Sequence, residues 1–138
     1  MSMKPQYKKN ALKFKRFNTK DGVAATDLYN YEYRTSVIKN PAGDDVFKMD
    51  NVEVPADWSQ VATDILAQKY FRKAGVPQPD GTTGSETSVK QVAHRLADCW
   101  KTWGERYGYF ASKKDAQVFY DELVYSILGQ MAAPNSPQ

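Results

Sequence analysis

With 41% hydrophobic residues and 13% aromatics in 138 positions, the chain has the composition of one folded domain rather than a disordered segment. The formal net charge of +3 is unevenly spread: Lys4, Lys8, Lys9, Lys13, Lys15, Arg16 and Lys20 lie in an acid-free first twenty residues, so residues 21–138, with 12 basic and 16 acidic residues, carry −4. A single cysteine, Cys99, excludes an internal disulfide and a cysteine-built zinc site. No apolar run is long enough for a secretory leader or a membrane span, so the expected location is the cytoplasm.

Residues 1–20 are lysine-rich and poor in β-branched residues, which predicts a basic mobile arm with only Leu12, Phe14 and Phe17 available for docking. A domain over residues 21–138 follows. Tyr29 to Ile38 alternates aromatic and β-branched residues and predicts a strand. The turn composition of Asn40–Asp45 then leads into a return strand with Phe47 and Met49 alternating, giving a hairpin over about 29–54. Pro55 introduces a first helix over about 57–73, capped by Asp57 or Ser59 and ended by Gly75. The Gly- and Pro-rich stretch 77–85 predicts a mobile loop.

A capping-box pattern at Ser88 and Gln91 opens a second helix over about 88–107, where Val89, Val92, Ala93, Leu96, Trp100, Trp103 and Tyr107 recur at helical spacing. Ser112 and Asp115 open a third over about 112–131, with Ala116, Phe119, Tyr120, Leu123, Ile127, Leu128 and Met131 as its apolar stripe. The short connection predicts an antiparallel pair. The fold class is therefore mainly α: an N-terminal β-hairpin followed by a bundle of about three helices.

Few residues carry an obvious chemical signal. His94, the only histidine, cannot build a ligand set and reads as a partly exposed helical residue. Cys99 reads as a small core thiol beside an aromatic face. Gly81–Ser85 lacks the lysine and preceding strand of a phosphate loop and reads as a turn. Trp100, Trp103, Tyr107 and Phe110 read as core, with a base-stacking platform as the alternative. The adjacent acids Asp121-Glu122 and Asp44-Asp45 do not converge on one reacting atom and read as solvated. The basic arm, with Phe14 and Phe17 among its lysines, leaves open a small helical module that binds nucleic acid or docks another chain.

Three segments are more specific in combination. Pro55-Ala-Asp-Trp-Ser-Gln-Val-Ala-Thr-Asp-Ile-Leu-Ala-Gln-Lys-Tyr-Phe-Arg72, Trp103-Gly-Glu-Arg-Tyr-Gly-Tyr-Phe-Ala111 and Asn135-Ser136-Pro137 occur in that order, separated by a loop and helices. From Val54 to Gln138 the chain resembles the N-terminal region of class II ribonucleotide reductases, the adenosylcobalamin-dependent enzymes. The resemblance implies that such a chain is the front section of a larger α/β-barrel enzyme, continuing as Trp-Phe-Asn into a barrel that carries the radical cysteine, the redox cysteine pair and the cobalamin contacts. It implies no catalytic, cofactor-binding or metal-binding residue in this stretch, and assigns Ser136 to the substrate nucleotide. The implied partners are the ribonucleotide substrate, the remaining barrel and, for the complete enzyme, a second subunit, with no membrane and no need of nucleic acid. On this reading the chain is a piece of the enzyme and inactive alone.

Overall fold

The computed structural model describes residues 3–135 and divides the chain into two units, residues 29–92 and residues 1–28 together with 93–138. The sequence suggested one domain preceded by an arm; here the N-terminal segment shares a unit with the C-terminal half.

In the unit of residues 29–92, strands β1 (Tyr31–Lys39) and β2 (Asp45–Pro55) form an antiparallel hairpin. Asn40 shapes its turn: the Asn40 side chain accepts from the Asp44 N–H at 2.9 Å, and Gly43 takes a positive φ of 89°. The pairing slips between Arg34 and Ser36, where two steps on β1 oppose three on β2, and Asn51 sits in the left-handed region at φ 57°. This bulge inverts the strand's alternation. Phe47 and Met49, at odd positions, and the fully buried Val52 and Val54, at even ones, therefore fall on one face. The tyrosine alternation is a poorer guide, because Tyr33 points to solvent and pairs with Glu53 across the hairpin.

Ser59 caps α1 (Gln60–Ile65), its hydroxyl accepting from the Ala62 N–H at 3.0 Å. The helix is shorter than predicted. It passes into a π-helical turn at Leu66–Tyr70, closed by Phe71 N–H to Leu66 carbonyl at 3.0 Å, and Phe71 is already extended, so the stop precedes Gly75. Arg34 locks α1 to the hairpin: its guanidinium donates to the carbonyls of Trp58 and Ala56, to Thr63 Oγ1 and to Glu32. Ser36 reaches Asp64 at 2.7 Å. Thr63 and Asp64 of the Pro55–Arg72 string thus take part in locking helix onto hairpin.

The loop expected to be mobile is instead a small hairpin, β3 (Val76–Pro77) with β4 (Thr83–Gly84). Gly81 turns it at φ 83°, and Asp80 accepts from Thr82 through both its N–H and its hydroxyl. Behind it the fully buried Glu86 accepts from the Arg72 N–H at 2.7 Å.

The second unit contains a 3₁₀ turn at Ala25–Leu28, helix α2 (Val89–Arg106) from Ala93 onward, and α3 (Lys113–Leu128). The predicted caps are present: Gln91 accepts from Ser88 N–H at 3.0 Å, and Asp115 N–H donates to Ser112 Oγ at 3.2 Å. The stripe on α3 is wider than the sequence pattern drew it, since Val118, Asp121 and Val124 are buried with Ala116 and Leu128, whereas Met131 is exposed. No helix among the described residues is long and apolar enough to cross a membrane.

Candidate substrate-loop exit and the strap beside it

The chain leaves α3 through a left-handed turn. Gly129 caps the helix, Gln130 takes φ 57°, Gln130 N–H donates to Ile127 at 3.1 Å and Met131 N–H to Ser126 at 2.9 Å. These bonds satisfy carbonyls that a helix end leaves open. The helix therefore stops at Leu128, before either proline, and Pro134 lies in a segment that has already turned away. Residues 131–135 follow without regular structure, and Ser136, with Pro137 and Gln138, lies outside the described residues.

Beside α3 runs the segment predicted to be a mobile arm. Its backbone is instead fastened along residues 104–122, with lysine side chains pointing outward. Gln6 N–H donates to Glu105 O, Lys8 N–H to Phe110 O, Leu12 N–H to Tyr109 O, and Ala111 N–H returns to Leu12 O, at 2.7 to 3.1 Å. Farther along, the Phe14 N–H meets Asp115 at 2.9 Å. Arg16, largely buried, pairs with the buried Asp121 at 2.7 Å. The N–H groups of Phe17, Asn18 and Thr19 converge on Glu122 Oε1 at 2.6, 3.0 and 3.3 Å. Phe14 completes a ring cluster with Phe110 and Phe119, with centroids 5.3–6.0 Å apart. Phe17 remains in solvent.

Asp121 and Glu122, read from the sequence as solvated, are thus the anchors of the strap, pointing to adjacent parts of it because neighbours on a helix diverge. The electrostatics agree. Partial burial pushes the Glu122 carboxyl up, but the N–H groups of Asn18, Phe17 and Thr19 outweigh that and hold it below the ordinary carboxylate range. Asp115 is held low by the Ser112 hydroxyl and the Phe14 N–H. Tyr7, whose hydroxyl donates to Glu105, is raised to about 12 by burial and by that carboxylate.

The other sequence candidates separate. Phe110 is core, but Trp103, Tyr107 and Tyr109 are 51%, 57% and 57% exposed, so the aromatic stripe of α2 is not wholly core at its C-terminal end. Gly104 explains part of this pattern: Phe110 lies against it so closely that a Cβ there would sit 2.4 Å from the ring. Cys99 is exposed rather than packed, which places it on the outer side of α2. His94 is exposed, with Nδ1 at 2.6 Å from the Tyr120 hydroxyl. Asp44 and Asp45 are exposed as expected, Asp45 facing Lys39 at 3.2 Å. Among the described residues no three His, Cys, Asp or Glu side chains are grouped to hold a metal ion.

Sequence reasoning missed Gly104, Asp115, Asp121 and Glu122 as the determinants of strap docking. The available signal was an acid-free basic segment and a later helix carrying acids on the turns beside its apolar stripe.

Comparison with known proteins places this arrangement. Residues 32–130 match the family model of class II vitamin B12-dependent ribonucleotide reductase, in its N-terminal part, so the chain belongs to that family. The match starts in β1, before the resemblance that begins at Val54, and ends at the left-handed turn, short of Ser136. Vitamin B12-dependent ribonucleotide reductases of Bradyrhizobium diazoefficiens and Agrobacterium fabrum are 44% and 40% identical to the chain over 155 residues, covering 92% of it. That of Rhodopirellula baltica is 36% identical over 127 residues, covering 91%. In each case the aligned region is only 12% of the relative's length.

Proposed function

We propose that the chain serves as the N-terminal part of an adenosylcobalamin-dependent ribonucleotide reductase, an enzyme that converts ribonucleotides to deoxyribonucleotides. Its role there is to support the catalytic barrel and to present Ser136 to the substrate nucleotide. The family match over residues 32–130 carries this reading. The left-handed turn at Gln130 supports the second half, because it ends α3 in a bonded geometry and gives Pro134-Asn135-Ser136-Pro137 a fixed point of departure.

The one histidine has Nδ1 beside Tyr120 and the one cysteine is exposed on a helix, so neither belongs to a convergent donor set. On this reading the cofactor is held by the rest of the enzyme. What this stretch supplies is position: α3, clasped by the strap, fixes where the exit segment begins, and a serine hydroxyl near a phosphate donates a charge-assisted hydrogen bond. A cytoplasmic location fits the activity.

Ser136→Ala in a protein joined to its catalytic barrel tests the assignment. A hydrogen bond to a charged group is worth about 1.5–3 kcal/mol, so catalytic efficiency should fall roughly 10- to 100-fold. Cobalamin affinity and thermal stability should barely change. Unchanged nucleotide kinetics with a large loss of stability would make Ser136 a structural loop cap and remove the substrate contact.

A further inference from the structure

The strap is fixed mainly through its backbone, Arg16 and Phe14, and its lysine side chains lie at the surface. Lys4, Lys8, Lys9, Lys13, Lys15 and Lys20 are all exposed. The unit that contains them, residues 1–28 with 93–138, holds twelve basic and seven acidic residues, a net +5, whereas residues 29–92 hold seven and nine, a net −2. Positive charge is therefore concentrated on one unit.

Exposed aromatics lie where the strap crosses the end of α2. The Lys8 stem covers Gly108 closely enough that a Cβ there would meet Lys8 Cε at 2.7 Å. Tyr107 and Tyr109 flank that glycine, with ring centroids 6.3 Å apart and planes inclined by 35°. Trp103 stands one helical turn before Tyr107. Three large exposed aromatics beside an ammonium form a composite surface of charge and π-faces, and clustering of this kind on a surface marks a binding region.

We infer that this face binds single-stranded nucleic acid, with the strap lysines on successive phosphates and Tyr107, Tyr109 and Trp103 stacking on bases. Phosphate neutralisation and base stacking are the two terms that such binding requires, and here they are adjacent. Lysine is depleted from the cores of protein–protein interfaces, so six exposed lysines on the strap, with Lys8 beside the aromatics, favour a polyanion over a protein partner. The strap is already ordered by Asp115, Asp121 and Glu122, so binding does not bear the entropy of folding a free arm. The inference adds to the reductase reading and requires that this face stay uncovered in the complete enzyme.

Fluorescence anisotropy of the 138-residue chain with a labelled oligothymidylate tests it, with heparin and free dTTP as competitors. Binding is expected at low salt, weakening with a log–log slope of about −0.7 per phosphate neutralised. Lys8→Glu with Lys9→Glu should weaken binding at least tenfold and flatten the slope by about 1.4. Tyr107→Ser with Tyr109→Ser should weaken it by about tenfold while leaving the slope unchanged. Circular dichroism checks that each variant is folded, and Lys4→Glu with Lys9→Glu replaces the first pair if changing Lys8 loosens the strap. Absence of binding at low salt would overturn the inference. So would tyrosine variants that bind normally, dTTP competing as well as the oligomer, or burial of Tyr107 and Tyr109 in a full-length reductase as read by chemical footprinting.

Discussion

Replacing Gly104 by alanine sets helix propensity against packing. Gly104 lies inside α2, where exchange for alanine ordinarily gains about 1 kcal/mol. Here the new Cβ would lie 2.4 Å from Phe110 Cε2 and 2.8 Å from Cζ, inside any tolerable contact. Phe110 is buried, and its ring is flanked by Phe14 at 6.0 Å and Phe119 at 5.3 Å, so it can withdraw only by disturbing the cluster that seats the strap. Overpacking of this kind costs about 1–3 kcal/mol. The packing cost exceeds the propensity gain over most of that range, for a net loss of up to about 2 kcal/mol. In a chain of this size that lowers the melting temperature by several degrees. Thermal unfolding of Gly104→Ala measures the effect, and a double-mutant cycle with Phe110→Leu assigns it, because a non-aromatic partner should recover part of the loss. A Gly104→Ala protein that melts higher than the parent would refute the reasoning.

Glu122→Ala removes the shared acceptor of three backbone N–H groups, so the amides of Phe17, Asn18 and Thr19 should lose hydrogen-exchange protection while those of β1 and β2 keep theirs. Asp115 and Glu122 titrate below their ordinary values when the strap is bound, so their stabilisation is complete above the ordinary carboxylate range and lost as pH falls through the lowered values; acid titration by exchange or tryptophan emission should show the strap loosening below about pH 4. Gln130→Gly relieves a left-handed residue while leaving its N–H bond intact and should stabilise the protein by about 0.5–1 kcal/mol in chemical denaturation. Cys99 should react with a thiol reagent in the native state, without prior unfolding. With one cysteine, the isolated chain should show no ribonucleotide reduction even when given adenosylcobalamin and a dithiol.

Local signals in the sequence were read well where the outcome depends on residues three or four apart. The boxes at Ser88 and Ser112 and the cap at Ser59 place three helix starts because each is a contact between near neighbours. Strand pairing was legible, but the bulge at Asn51 was not, since nothing in the alternation of Phe47 and Met49 announces that Val52 and Val54 change parity and still share their face. The end of α1 was misplaced because a π-helical turn has the same apolar spacing as the helix it interrupts over so few residues. The largest departure concerned residues 3–20. A lysine-rich composition predicts disorder when no partner is in view, and the partners here are carboxylates about a hundred positions away. For Ser136 the sequence gives a motif, and the structure adds the turn at Gln130 from which its segment starts.

A unit assembled from both ends of the chain has consequences for the order in which the protein forms during synthesis. Residues 29–92 are contiguous and can pair and pack as soon as they leave the ribosome, whereas the strap must wait for Glu105 through Glu122 to be made. Its contacts are therefore among the longest in sequence, with the highest loop-closure cost and the latest expected formation. During that interval residues 1–20 are a free polycation whose Phe14 has not yet met Phe110 and Phe119. Until Asp115, Asp121 and Glu122 have been made to receive it, like-charge repulsion disfavours collapse of that segment on itself. The same lysines that made the arm look unstructured thus keep it solvated while its docking site does not yet exist.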